Sequence, residues 1–575
     1  MRSNQTNHKE RLWIIFFPIF IWFIIVIARL FDVQVLNAEK YKKRQVKQNE
    51  RVLEVSSERG NIYDRKGRIL ALTADSYSIY LQNKDIKTSL KILKKVVSKI
   101  YFSPDEYKKV KARILRKRSF VWLKRKANEF EKDRVINLGF KNVNVIKEKK
   151  RYYPNMRLAC HLLGTVSVDN NGIEGIEKEY DKKLKGKNGE ILIRRDARQK
   201  IYEVHKVKNW QRGDDLTLTI DSVIQYIAQK ELKKAVEENR AKRGTVIVLS
   251  PFTGEVLAMA SYPDFNPNNP RTLTRLRRKN LAIELNYEPG STFKVVTASS
   301  VIDKKKLNLR KLIYCEEGRY NYKGEIFTDH TRFGYLTPKE VIAHSSNIGT
   351  MKIALFIKGS EFYQKEKYFG FGKKTGIQLP GEASGVLRAP SRWSGVTQVS
   401  MAIGYGIMVT PLQMLLAVNS IATGGYFVLP TIVKNKEGRI RGYRVVSKRT
   451  ARIVKSFLKA VVKIGTGKIA AIDGFDVAGK TGTARKAING RYSQKKYYSS
   501  FVGFVPADKP VLSIIVVIDE PSADKYYGGE VAAPVFRNIA EQSLRYLKVY
   551  PDFLKERKFI FAEKTVKKGE KNAVS

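Results

Sequence analysis

A serine and a lysine stand three residues apart in Glu288-Pro289-Gly290-Ser291-Thr292-Phe293-Lys294, between a Pro-Gly turn signal and an apolar run. The turn and the run predict a helix starting near Ser291, and positions i and i+3 share a helix face, so hydroxyl and amine become neighbours. A serine hydroxyl needs a base to act as a nucleophile at neutral pH. A lysine is a base only when its pKa is lowered. By itself the pair reads more readily as a capped helix with a lysine reaching solvent. Two further elements change that reading. Ser345-Ser346-Asn347 gives Ser-x-Asn after a helix-like run, and VAGKTGTA at 477–484 gives Lys480-Thr481-Gly482, followed by Thr483. S-x-x-K, S-x-N and K-T-G in that order form a set for serine acyl transfer.

The last motif hides a competitor. Residues 474–481, GFDVAGKT, also fit the phosphate-binding loop, and the apolar run at 511–520 ends in Asp-Glu like a magnesium-holding strand. Such a loop needs a helix directly after its lysine, whose N-terminus cradles the phosphates. Here Asn489-Gly490 signals a hairpin and 497–505 a strand, which argues against a nucleotide site. His344 is a poor base for Ser345, because adjacent helical residues point apart. There is no G-x-S-x-G elbow and no HExxH, and Cys160 and Cys315 lie far apart. No catalytic metal, cofactor or disulfide framework is expected.

The elements around these motifs are readable. Residues 59–71, RGNIYDRKGRILA, suggest strand–turn–strand, and 89–134 suggest basic amphipathic helices. Residues 244–261 read as a hairpin, helices dominate from 291 to about 358, and strands return at 480–519. The pattern predicts an α+β protein: an elongated mixed pedestal, then a catalytic domain with an antiparallel sheet flanked by helices.

With 109 basic and 55 acidic residues the chain carries a net charge of +54, which suits an anionic setting: nucleic acid, a membrane surface or an acidic polymer. Ten Lys or Arg fall between 108 and 126 without an acid, yet no nucleic-acid fingerprint accompanies them, so no nucleic-acid partner is expected. Residues 12–28 are uncharged and apolar, with Trp13 and Trp22 as interfacial groups, and predict an uncleaved transmembrane anchor. The flanking basic residues, counted alone, would keep the large domain inside the cell. Expected boundaries are a cytoplasmic tail at 1–11, the anchor at 12–28, the pedestal at 29–212, the catalytic domain at 213–547 and a basic tail at 548–575.

The ordered triplet, with RGNIYDRKGRILA, GIEGIEKEYDKKLKGKNG, GTVIVLSPFTGEVLAMASYPDFNP and MAIGYGIMVTPLQMLLAVNSIATGG, resembles the class B penicillin-binding proteins. Within them it is most similar to the FtsI-type peptidoglycan D,D-transpeptidases of cell division. Elongation enzymes of that class usually carry Ser-x-Asp at the second motif, so Asn347 favours the division branch. The resemblance implies Ser291 as acylated nucleophile, Lys294 as base, and Ser345 as proton relay between Lys294 or Lys480 and the leaving amine. It implies Asn347 on the substrate amide, and Lys480, Thr481, Gly482 and Thr483 along the strand that binds the terminal carboxylate. It further implies stem peptides as substrate, inhibition by β-lactams, an FtsW-type polymerase and other division proteins as partners, and a single-pass protein of the cytoplasmic membrane with residues from 29 onward outside. No transglycosylase domain is recognisable, which implies a monofunctional enzyme. Elongation or specialised transpeptidases are the alternatives within the class, and a penicillin-recognising sensor or a β-lactamase outside it.

Overall fold

The computed structural model describes residues 6–55, 57–195, 201–434, 441–522 and 524–551, so nearly all of the expected basic tail lies outside the described residues. The chain divides into two compact units, one from residues 1–58 and 185–213, the other from 59–184 and 214–575.

The first unit begins with α1 (Thr6–Phe31), which runs on into a π-helical stretch to Leu36. Its segment Leu12–Leu36 has 25 residues and contains an 18-residue stretch of mean hydropathy 2.7, none of which is buried. At 1.5 Å per residue it spans about 37 Å, more than the roughly 30 Å of a bilayer core. Among the described residues it is the only helix long and apolar enough to cross a membrane. The unit also holds a three-stranded antiparallel sheet of Glu50–Val55, Gly189–Arg195 and Ile201–Lys208.

In the second unit, the strand–turn–strand expected at 59–71 is present: Ile62–Tyr63 pairs with the start of β1 (Ile69–Gln82). The buried Asp64 carboxylate organises the turn, accepting from the Lys66 and Arg68 amides, Arg68 Nε and Ser222 Oγ. The helical expectation for 89–134 holds only in part. Helices form at Ile86–Val97 and Pro104–Leu115, but 120–127 is a strand, β2 (Phe120–Ala127), antiparallel to β1. Val121, Leu123 and Ala127 are buried there at spacings of two and four, on one face of the strand, and aromatic and β-branched residues suit a half-buried sheet. The long β3 (Val143–Tyr152) pairs with the other edge of β1.

The catalytic part is a five-stranded, fully antiparallel sheet. Its strands are β4 (Arg243–Leu249), β5 (Val256–Tyr262), β6 (Ala478–Ile488), β7 (Arg491–Val505) and β8 (Leu512–Asp519), in the spatial order β5-β4-β8-β7-β6. Strands β4, β5 and β8 read as nearly continuous apolar runs because both faces are covered. Along β8, Ile514, Val516 and Ile518 enter one core with the helices Ser222–Glu238 and Ala533–Tyr546. Ile515 and Val517 enter the other, with Phe293, Val295 and the wholly buried helix Pro411–Ala422. The two-residue period of the strand thus feeds two helical layers. Strand β6 is left at the sheet edge, carrying Lys480 as its third residue with no helix after it, and the phosphate-loop alternative is excluded.

The stretch 291–358, where helices are expected to dominate, also holds strands. Between its helices lies a hairpin, Arg319–Tyr322 with Glu325–Thr328, turning through Lys323 (φ 51°) and Gly324 (φ 85°). Two successive positive φ angles are the geometry of a tight two-residue hairpin turn, whose usual sequence signal is Asn-Gly or Asp-Gly rather than Lys-Gly.

Candidate active site

Ser291 sits in a single 3₁₀ turn, Gly290–Phe293, that leads directly into the helix α2 (Lys294–Asp303). The turn is clamped between two backbones. Gly290 adopts φ 52° and donates its N–H to Gly404 O at 3.1 Å; a Cβ on Gly404 would lie 2.1 Å from Gly290 O. On the opposite side, a Cβ on Gly482 of β6 would meet Ser500 Oγ at 2.4 Å, Thr292 Cγ2 at 2.9 Å and Pro289 O at 3.0 Å. Gly482 therefore brings the sheet edge against the turn that carries Ser291, a packing reason absent from the sequence reading. Gly482→Ala is expected to displace that turn, costing about 1–3 kcal/mol in stability and slowing acylation at least tenfold or so. A thermal melt beside the rate of labelling by a fluorescent penicillin checks both.

Lys294 is fully buried. Its Nζ donates to Ser345 O at 2.6 Å and Asn347 Oδ1 at 2.7 Å, and lies 3.4 Å from Ser345 Oγ. Ser345 links the helices α3 (Pro338–Ala343) and α4 (Asn347–Ala354) in a left-handed conformation, φ 61°. That conformation is costly for a residue with a Cβ, and such residues persist where the surroundings fix them, often at active sites. Lys480, also fully buried, donates to Ser345 Oγ at 2.9 Å and Thr481 O at 3.1 Å. The Ser345 hydroxyl therefore stands between two buried amines. Thr481 Oγ1 shares a 2.6 Å hydrogen bond with Thr466 Oγ1, and Thr483 Oγ1 accepts from the Gly528 amide at 2.9 Å. The half-exposed Ser291 hydroxyl has no hydrogen-bond partner among the described residues. His344 packs on the Phe333 ring rather than bonding Ser345, as adjacency on a helix predicts.

Burial dominates the electrostatics. It pushes Lys294 down to about 7, against the opposing pull of the Asp329 charge. Lys480 is pushed down too, by burial and then by repulsion from Lys294. Two amines sharing one hydroxyl in a dry site cannot both hold their protons freely, so neutral lysine is available near neutral pH.

Asp329, just after the hairpin, is a residue that the motifs do not reveal. Its carboxylate accepts from Ser346 Oγ at 2.6 Å, from the Ile348 amide at 3.2 Å and from the Asn347 amide. It thereby anchors the N-terminus of α4 and holds a negative charge near Lys294. Asn347 is oriented from both ends: Oδ1 accepts from Lys294, and Nδ2 donates to Thr328 O at 2.8 Å. All eight residues expected at the site, Ser291, Lys294, Ser345, Asn347, Lys480, Thr481, Gly482 and Thr483, lie on the three elements that converge here: the 3₁₀ turn with α2, the α3–α4 junction, and β6.

Comparison with known proteins agrees with this architecture. Residues 244–541 match the penicillin binding protein transpeptidase domain, and residues 54–218 the penicillin-binding protein dimerisation domain. The chain is 33% identical to the peptidoglycan D,D-transpeptidase FtsI of Escherichia coli over 535 residues, covering 92% of this chain and 90% of that one. It is 32% identical to stage V sporulation protein D of Bacillus subtilis, with 96% and 87% covered. A crystal structure of penicillin-binding protein 3 from Mycobacterium tuberculosis, complexed with aztreonam, is similar with a TM-score of 0.66 at 27% identity, over 87% of this chain and 99% of that one. With the ordered motifs assembled at one sheet edge and both domains matched, the chain belongs to the class B penicillin-binding proteins, serine-type D,D-transpeptidases of peptidoglycan.

Proposed function

We propose that this protein cross-links stem peptides during septal wall synthesis through an acyl-enzyme on Ser291. The observation that carries the chemistry is the Ser345 hydroxyl held between the buried amines of Lys294 and Lys480. Ser291 Oγ attacks the carbonyl of the penultimate D-alanine, and neutral Lys294 takes its proton. The oxyanion meets the backbone N–H groups of Ser291 and Thr483, each such donor being worth about 3 kcal/mol. The proton passes through Ser345 to the leaving nitrogen, the C–N bond breaks and the last D-alanine departs. Asn347 holds the substrate amide, while Lys480, Thr481 and Thr483 hold the terminal carboxylate. An amine of a second stem peptide then takes the acyl group. A β-lactam, which mimics the D-Ala-D-Ala end, traps Ser291 instead.

Asn347 at the second motif and the similarity to FtsI support the septal role; the FtsW-type polymerase and other division proteins are its expected partners. The apolar helix would anchor the protein once in the cytoplasmic membrane, with the catalytic domain, 213–547, outside the cytoplasm. The similarity to the sporulation protein favours a second reading, a specialised transpeptidase of one developmental stage. Mass mapping after penicillin treatment is expected to find the drug on the peptide containing Ser291. Depletion is expected to give filaments that fail to septate. Adduct elsewhere would overturn the mechanism; normal septation with failed spores would move the role to the second reading.

A further inference from the structure

Between residues 84 and 118 stand thirteen Lys or Arg against three acids, Asp85, Asp105 and Glu106. All three acids lie at helix starts. Asp85 caps Ile86–Val97 by accepting from the Thr88 amide at 2.7 Å, and Asp105 and Glu106 lie in the first turn of Pro104–Leu115, where Glu106 closes a capping box with Ser103. Buried residues of both helices, among them Ile92, Leu93, Val110 and Ile114, share one core with β1 and β2. The opposite face of the first helix carries Lys87, Lys91, Lys94 and Lys95, three and four residues apart and all exposed. On the second helix the exposed Lys108, Lys111 and Leu115 share a face in the same way. Among the described residues, none of the thirteen basic side chains makes an ion pair or a hydrogen bond.

A Lys-rich composition does not by itself produce such a surface. On the helix Lys448–Lys463, Lys455 and Lys459 pair with Asp508, and Lys459 and Lys463 with Asp476. On β3, Lys147 and Lys149 both pair with Asp75. Ten of the thirteen free cations are lysines, whose compact ammonium demands no fixed partner geometry. That suits a fluid array of phosphates better than the fixed carboxylates of a folded protein. The turn after the second helix adds a different kind of group. Leu115-Arg116-Lys117-Arg118-Ser119-Phe120 passes through Lys117 at φ 55° into β2. Leu115 is 50% exposed and Phe120 43%, the latter held in place by stacking on Tyr80 at 4.7 Å. A dissolved polyanion offers two exposed apolar side chains nothing to enter. The boundary of an anionic bilayer takes cations at its headgroups and apolar groups just beneath them.

We propose that this face, led by the tip at 115–120, docks on a bilayer surface rich in anionic phospholipid. The Lys and Arg side chains stand among the headgroup phosphates, and Leu115 and Phe120 reach the acyl boundary. The contact is a second membrane attachment besides the apolar helix of the first unit. Because that helix keeps a bilayer at high local concentration, the contact needs little affinity of its own.

The test uses the full-length protein in lipid nanodiscs with a fluorophore on Ser119→Cys; Cys160 and Cys315 are buried, so the added thiol is the one that reacts. The discs carry a lipid with a nitroxide high on its acyl chain, which quenches on contact. They are either zwitterionic or about one-third phosphatidylglycerol, and the parent should be quenched at least about fivefold more in the anionic ones. About 0.5 M salt should cut that ratio to twofold or less. The triple change Arg116→Ser/Lys117→Ser/Arg118→Ser should do the same, with unchanged penicillin labelling showing an intact fold. An equal charge change on exposed positions elsewhere, Lys448→Ser/Arg449→Ser/Arg452→Ser, should leave the ratio as it is. Equal quenching in both kinds of disc overturns the proposal, as does a ratio that survives the triple change at the tip. A ratio that falls as far in the control variant overturns it too, since the attraction would then belong to the charge of the whole chain. Shielding of the fluorophore by soluble poly(glycerol phosphate), without quenching by the lipid, would assign the face to a wall polymer instead.

Discussion

Replacing Lys294 by alanine lowers the second-order rate of acylation by a labelled penicillin about 10²–10⁴-fold, the usual span for loss of a general base. The parent's rate should rise with pH through about 7 and level off above, because only the unprotonated amine can take the Ser291 proton. The sign follows from burial, which disfavours the charged amine. Stability moves the same way. The native state holds Lys294 unprotonated above about 7, whereas the unfolded chain stays protonated up to the ordinary lysine value, so this group's contribution improves as pH rises between the two. Asp329 gives an independent check. Its charge holds the Lys294 pKa up, so Asp329→Asn should move the acid limb below that of the parent while loosening the start of α4. Stopped-flow acylation across pH 5–9 reads both variants. A flat profile in the parent, or a Lys294→Ala rate within a few fold of it, would place the base elsewhere.

Much of this site is legible in sequence because its chemistry is written in short motifs whose spacing matches one element each. Ser291 and Lys294 lie on one turn and the helix it opens, and Lys480 to Thr483 on one strand. The sheet is legible for a related reason: runs such as 244–249 and 512–518 are apolar on both alternating faces, which only a doubly covered strand tolerates. Asp329 is not legible. It acts across 18 positions on the Asn347 amide through a hairpin too short and too polar to show periodicity. The left-handed backbone of Ser345 is hidden likewise, since packing between α3 and α4 imposes it against local preference. At 120–127, basic residues at partly exposed positions obscure a strand whose buried positions are few. The packing role of Gly482 is hidden too, because the Ser500 and Thr292 side chains it makes room for lie on other elements of the chain.

Glu177→Ala should destabilise the second unit by about 3–5 kcal/mol, the cost of leaving buried charge without its partner. Glu177 is wholly buried and receives Arg59 Nε on one oxygen and Arg151 Nε on the other, each at 2.6 Å. The Tyr153 hydroxyl adds a third bond at 3.2 Å. Both guanidinium groups are themselves almost fully buried. Arg59 has a second carboxylate in Asp181 at 2.6 Å, whereas Arg151 otherwise reaches only the Gly60 carbonyl at 2.7 Å and Thr73 Oγ1 at 3.4 Å. Removing the shared carboxylate therefore strands Arg151 more than Arg59. A rim pair such as Arg125–Asp169, with the acid largely exposed, gives the contrast: Asp169→Ala should cost no more than about 1 kcal/mol. Denaturant unfolding of the full-length protein, with both variants beside the parent, separates the two cases. Restoring stability in Glu177→Ala by a second change, Arg151→Met, would follow from the same cause, since a buried cation without a partner costs more than an apolar side chain of similar length. If the double variant were no more stable than the single one, the loss would come from broken hydrogen bonds and the cavity, not from the stranded charge.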